Sequence, residues 1–200
     1  RVFLIALPVV LVLHLVKLML QGKCQGHCPI VGLGETFSFT ALALGIIYFV
    51  LERRQKYYAT GVIFIGIVLL FQSVTIYSTS NETILAENLR NIPFAFHGPL
   101  ALIGISAFGA SALYGVLYLI LFRLLKTKQL STNLRKMPPL EKIEDFQKYS
   151  SLIGFVFFSI AVISGFILGI IYEQITQIDP KIIISLIVLA IFGYEVIGSR

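Results

Sequence analysis

The chain has 200 residues, of which 57% are hydrophobic and 13% charged, and its formal net charge is +6. Soluble domains are roughly 45–50% apolar and about 25% charged, so this composition excludes a soluble enzyme, a disordered chain and a nucleic-acid-binding domain. A pI near 9.4 would otherwise point to nucleic acid, but the basic residues stand between long apolar runs and read as topology signals.

Apolar runs follow one another at 2–20, 30–51, 59–77, 98–125, 152–172 and 182–197, the last, after Pro180, being the shortest. A bilayer core about 30 Å thick takes roughly 20 apolar residues per helix, so six spans use most of the chain and leave no room for a separate soluble domain. None of the runs alternates with a period of two over a barrel-length segment, which leaves helices as the reading. The expected fold is all-α: a polytopic transmembrane helix bundle of about six spans, forming a single membrane domain over 1–200. The chain opens at Arg1 without a Met and stops at Arg200, and is expected to be a fragment of a slightly longer one. The first run lacks the small-residue cleavage site of a signal peptide.

Loop charge sets the expected direction. Arg1, Arg53, Arg54, Lys56, Arg200 and the seven basic residues from Arg123 to Lys148 fall on one side, twelve of the sixteen in the chain. Lys23, Arg90 and Lys181 fall on the other, with Lys17 inside the first span. The positive-inside bias then puts both ends and the loop 123–150 in the cytoplasm, and the loops 21–29, 78–97 and 173–181 outside. Within the long cytoplasmic loop, the segment 140–149 reads as a short amphipathic helix on the membrane surface. Small residues four apart, Ala107, Ser111 and Gly115 in the fourth span and Ala161, Gly165 and Gly169 in the fifth, mark expected packing stripes.

All three histidines fall toward the outer face on this topology. His97 stands just before the fourth span, His27 is in the first outer loop, and His14 is in the first span, about 9 Å below its outer end at 1.5 Å per residue. Neutral imidazole is a common haem-iron ligand. Each has a plainer reading: His27 and His97 as polar interface residues, His14 as a hydrogen-bond partner of a neighbouring helix. His14 shares a helical face with Lys17, which can snorkel outward. Glu35 lies just inside the outer end of the second span, where a carboxylate must be paired, protonated or wet; Lys17 or Arg90 could pair with it. Glu195, near the inner end of the last span, reads as a solvated interface residue. Cys24 and Cys28 form C-Q-G-H-C, which is neither the CxxCH of covalent haem attachment nor a complete zinc set. A disulfide is allowed outside the cytoplasm. No nucleophile–base pair, P-loop or dinucleotide fingerprint is present.

These residues resemble a known family, the integral-membrane cytochrome c assembly proteins of the CcsA/HemX haem-handling type. Gly26-His27-Cys28-Pro29-Ile30 followed by Glu35-Thr36-Phe37-Ser38-Phe39 is similar to that family's G-[HR]-x-P and E-S-x-x-F segments. Phe96-His97-Gly98, opening a span rich in small residues with Tyr114 and Tyr118 further along, resembles its [MV]-H-V helix. Pro138-Pro139-Leu140-Glu141-Lys142-Ile143-Glu144 resembles L-P-x-L-E-x-L-D, Tyr149, Gly154 and Gly165 fall where the family has S-Y-R, G-F and S-G-x, and Ile178-Asp179-Pro180-Lys181 resembles W-D-P-K. The ordered set covers nearly the whole chain. Two departures matter: the chain has no Trp, where full haem-transfer members carry a Trp-rich loop before D-P-K, and a second external histidine after a further span is not among these residues. Both place the chain nearer the shorter HemX-like branch.

The resemblance implies haem b binding and delivery of haem to apocytochrome c outside the membrane, in the inner (cytoplasmic) membrane of a bacterium. His97 corresponds to the family's external axial histidine, and His14, which corresponds to the first-span histidine of the HemX-like branch, would be a second iron ligand or a ligand at an internal site along the path. His27 and Glu35 match motif positions, and Glu35 and Arg90 would position propionates or charged partners. Implied partners are haem, other assembly subunits, apocytochrome c and the bilayer, with no nucleic acid; the chain would be a ligation and delivery factor rather than a self-contained catalyst. The alternative is a haem-free regulatory or scaffold membrane protein that docks a partner through the basic cytoplasmic loop. A small transporter subunit is a third reading, disfavoured because no repeat is present and the polar groups lie away from mid-span.

Overall fold

The structure is a computed structural model that describes residues 2–26, 28–30, 32–53, 60–78, 92–128, 137–171 and 180–198. Its elements are six α-helices: α1 (Val2–Gln25), α2 (Leu33–Arg53), α3 (Gly61–Ser78), α4 (Ile92–Lys126), α5 (Leu140–Ile171) and α6 (Pro180–Gly198). All six are long and apolar enough to cross a membrane, and no strand occurs among the described residues. Many large apolar side chains point away from the protein, from Val62, Ile76 and Leu69 to Ile184 and Ile197. In water such a surface would drive aggregation; in lipid it is the solvated surface.

The most extensive helix pair is α4 with α5, followed by α2–α3, α2–α4, α5–α6 and α1–α2. The neighbours therefore run α3, α2, α4, α5, α6, with α1 laid against α2. Two ends result. One holds the C-terminus of α1 and the N-termini of α2 and α4, and is called here the histidine end. The other holds the C-termini of α2 and α4 and the start of α5, and is called the basic end.

The buried core lies toward the basic end. Leu44, Ile47, Tyr48 and Leu51 of α2 meet Phe64 of α3, Ala107, Ala110, Tyr114, Leu117 and Leu121 of α4, and Ile143 and Phe146 of α5. A chain of rings threads it: Tyr48 to Phe64 at 5.1 Å, Phe64 to Tyr114 at 4.8 Å, Tyr114 to Phe146 at 5.3 Å between centroids. One aromatic contact from each helix thus joins α2, α3, α4 and α5. Rings in such offset geometries add to the packing attraction that must replace the hydrophobic drive within a bilayer.

The segment 140–149 is not a separate helix on the membrane surface. It is the first part of α5, which runs unbroken from Leu140 to Ile171. Its apolar side, Ile143 and Phe146, is fully buried in the core, and its charged side carries the ion pairs Lys142–Asp145 and Lys148–Glu144. The amphipathic pattern was real, but the surface it covers is protein, not lipid. Pro138 and Pro139 set the start, with the Lys142 and Ile143 amides donating to the Pro139 carbonyl to close the first turn. At 32 residues, α5 is about 48 Å long, well beyond a hydrocarbon core of about 30 Å.

The expected packing stripes hold in part. Ala107, Ser111 and Ala161 are buried, but a Cβ at Gly115 would meet open space. Gly165 of the fifth-span stripe does meet α4, a Cβ there falling 2.5 Å from the His97 ring, and the helices also approach closely at two glycines outside the stripes. A Cβ on Gly104 would lie 2.7 Å from the Phe158 Cβ and 2.9 Å from its backbone nitrogen. One on Gly154 would run into the Phe108 ring, and that ring itself stacks on Phe192 of α6 at 3.8 Å.

Candidate functional site

The histidine end is built from short polar contacts. Helix α1 stops at Gly26, whose φ of 70° belongs to the left-handed region and whose amide donates to the Gly22 carbonyl at 2.9 Å. This is the single-bond form of a left-handed helix cap, which favours glycine. Helix α2 starts with Gly32 as its N-cap: the Thr36 amide donates to the Gly32 carbonyl at 2.9 Å, and the Glu35 Oε2 accepts from the Gly32 amide at 3.3 Å. That is half of a capping box, with the carboxylate on the positive end of the helix. The other Glu35 oxygen accepts from Gln21 Nε2 at 3.1 Å, tying α1 to α2. Glu35 is therefore placed as a cap and a clasp between two helices.

The thiol of Cys28 is half-buried beside this carboxylate, and burial first, then the negative charge of Glu35, push its pKa up. Cys24 is exposed on the last turn of α1, and no disulfide joins it to Cys28. Thr36 Oγ1 donates to the Ile30 carbonyl at 2.9 Å, and the Ile30 side chain packs where a Cβ on Gly98 would fall. The first loop thus leans on α4 one residue away from His97.

His97 sits on the first turns of α4, and its ring faces α5. Nδ1 is 2.9 Å from the Ala161 carbonyl oxygen and 3.4 Å from Ser164 Oγ. A carbonyl only accepts, so Nδ1 carries the proton and donates. In the neutral ring the lone pair is then on Nε2, and no hydrogen bond reaches that atom among the described residues. A Cβ on Gly165 would fall 2.5 Å from the His97 Cε1, so that glycine is the notch that receives the ring. An imidazole whose Nδ1–H is held by a backbone carbonyl and whose Nε2 makes no other bond is the usual state of a metal-ligating histidine, so this side chain could hold haem iron.

His14 faces a different neighbour. Its Nε2 lies 2.9 Å from Ser38 Oγ on α2, and Ser38 is fully buried. A hydroxyl can donate or accept, so this contact leaves the tautomer open. The structure brings His97 to the α4–α5 seam and His14 to the α1–α2 seam, and they share no bonding partner. His27 and Arg90 lie outside the described residues. Among the described residues, no group of three or more His, Cys, Asp or Glu side chains could hold a metal ion.

The bonding partners of the polar side chains are not marked in the sequence. The Ala161 carbonyl holds His97, and Ser164, a serine inside an apolar run, donates to the same carbonyl. At the basic end, Glu195 accepts from Gln147 Nε2 at 2.6 Å and from Ser151 Oγ at 3.1 Å. It is a clasp between α5 and α6 rather than a solvated interface residue.

The profile of the cytochrome c assembly protein family matches residues 30–199 of this chain. The chain belongs to that family. Among curated relatives, the protein named HemX of Brevibacillus brevis is 27% identical over 179 residues, covering 86% of this chain and 64% of the relative. The protein named HemX of Bacillus subtilis (strain 168) is 24% identical over 193 residues, covering 94% of this chain and 69% of the relative. The chain thus spans about two thirds of the length of these relatives. No solved structure gives a significant match. Membership agrees with the resemblance read from the motifs, and the family segments around Glu35, His97 and Gly165 now lie at one end of the bundle.

Proposed function

We propose that this member of the cytochrome c assembly family handles haem b on the outer side of a bacterial cytoplasmic membrane and delivers it toward apocytochrome c. His97 is the iron ligand on this reading. The single observation that carries it is the placement of the imidazole: Nδ1 is committed to the Ala161 carbonyl at 2.9 Å, which in the neutral ring puts the lone pair on Nε2 at the end of the bundle. Haem, when bound, supplies the redox-active iron; the chain supplies ligation and orientation. His14, on its own seam against Ser38, would hold haem at a second site along the path. His27 and Arg90, on sequence position alone, would serve charged groups of haem or its acceptor, and Glu35, which caps α2 and ties it to α1, would help to position them. The excess of basic residues near Arg53 and from Arg123 to Lys148 supports placing the basic end, and both chain ends, in the cytoplasm.

One observation favours a second reading. The first three turns of α5 present Glu141, Lys142, Glu144, Asp145 and Lys148 beside the basic stretch, a charged face suited to docking a cytoplasmic protein in a haem-free scaffold.

The absorption spectrum of the purified protein, oxidised and then reduced, tests the choice. A Soret band with sharp reduced α and β bands is expected in the wild type, with most of it lost in His97→Ala and a smaller loss in His14→Ala. A colourless wild type that also takes up no added haem overturns the haem reading in favour of docking.

A further inference from the structure

A glycine in the middle of a helix costs about 1 kcal/mol relative to alanine. Gly165 is such a residue, and its φ is not in the left-handed region, so space rather than backbone freedom accounts for it. The atoms that a Cβ there would meet are His97 Cε1 at 2.5 Å, Nδ1 at 3.0 Å and Nε2 at 3.3 Å. They form one edge of a single ring, so a methyl group would displace the whole imidazole. The ring cannot yield without giving up its bond to the Ala161 carbonyl. That carbonyl also accepts from Ser164 Oγ at 2.9 Å, while Ser164 Oγ is 3.4 Å from Nδ1, beyond a firm hydrogen bond. Ser164 therefore acts on His97 through the acceptor they share.

We propose that α5 is a seat for His97, in which the Ala161 carbonyl and Gly165 hold the imidazole as its Nδ1–H tautomer with Nε2 as the ligating atom, and the Ser164 hydroxyl weakens the Nδ1–H bond by competing for the carbonyl. Gly165 and Ser164 are positioning residues. The ligand in this proposal rests on the haem reading, but the tautomer and the ring placement belong to the protein alone. A stronger Nδ1–H donation makes Nε2 the more basic ligand and favours ferric iron, so the seat also sets the redox balance of the site.

The full chain labelled with ¹⁵N-histidine, in detergent above pH 7.5, tests the tautomer without haem, the His97 signals being those lost in His97→Gln. The wild type is expected to show a neutral ring protonated at Nδ1, kept in Ser164→Ala and lost to a mixture in Gly165→Ala. An Nε2–H ring or an averaged mixture in the wild type overturns the seat, whatever the fate of Gly165→Ala. With haem bound, Ser164→Ala is expected to shift the ferric–ferrous balance about threefold toward ferric, close to 30 mV, and Ser164→Thr to restore it. An unchanged balance, with haem still dependent on His97, overturns the tuning role. An Nδ1–H ring in a protein that takes up no haem upholds the seat and sinks only the haem reading.

Discussion

At the scale of single residues, the chemistry turns on what each polar atom faces. His97 and His14 are both histidines near one end of the bundle, yet one meets a carbonyl and the other a hydroxyl. Only the carbonyl dictates a proton position, so only His97 is committed to one tautomer. Cys24 and Cys28 differ in the same way. The thiolate is the reactive form, and the Cys28 thiol is pushed up by burial and by Glu35, so it remains protonated at neutral pH. Its alkylation by a maleimide is expected to lag behind that of exposed Cys24 and to rise at higher pH. Glu35→Gln removes the negative charge, lowers the Cys28 pKa and is expected to quicken its alkylation a few-fold, as read by peptide mass spectrometry over a pH series. Equal rates for the two thiols throughout would contradict this placement.

At the scale of elements, α4 and α5 decide how close the helices come. The apolar runs and their small residues marked both helices as packing elements, and spacing by four pointed to Gly165, which receives His97, but also to Gly115, which faces open space, while it passed over the close contacts at Gly104 and Gly154. A stripe is defined on one helix; a contact depends on the crossing angle and on the partner's side chains. Gly104→Ala presses on the Phe158 backbone, which has no rotamer through which to relax, and is expected to cost about 1–3 kcal/mol. Gly109→Ala faces open space and is expected to be neutral or to stabilise by up to about 1 kcal/mol. Thermal unfolding of the two variants in detergent checks the contrast; equal midpoints would remove Gly104 from the interface. The segment 140–149 carries the same lesson. Its periodicity told that one side is apolar, and only the position of α4 told that Ile143 and Phe146 lie against protein.

At the scale of the whole molecule, the spans form two ends of opposite character. The histidine end gathers caps, clasps and His97, and the basic end gathers the core and the charged start of α5. If the basic end is cytoplasmic, Cys24 is expected to react with a membrane-impermeant maleimide on intact cells, and a cysteine placed at exposed Lys128 only after lysis. The reverse pattern would invert the molecule and move His97 to the cytoplasmic side.

Composition was enough for the membrane and the helices, because the bilayer demands long apolar helices, and loop charge supplies an expectation of direction because the charge bias is local along the chain. The motif order was enough for the family, since it depends on residue types at fixed positions along one chain. The partner of each polar side chain was not legible. Ser38 and Ser164 sit in apolar runs and Gln147 and Ser151 just ahead of one, with nothing local to mark their partners, and they meet His14, His97 and Glu195 only because α1, α4 and α6 are laid against α2 and α5. In a bilayer those encounters are set by side-chain packing and by the need to satisfy polar groups between helices, and they exist only once the bundle is assembled.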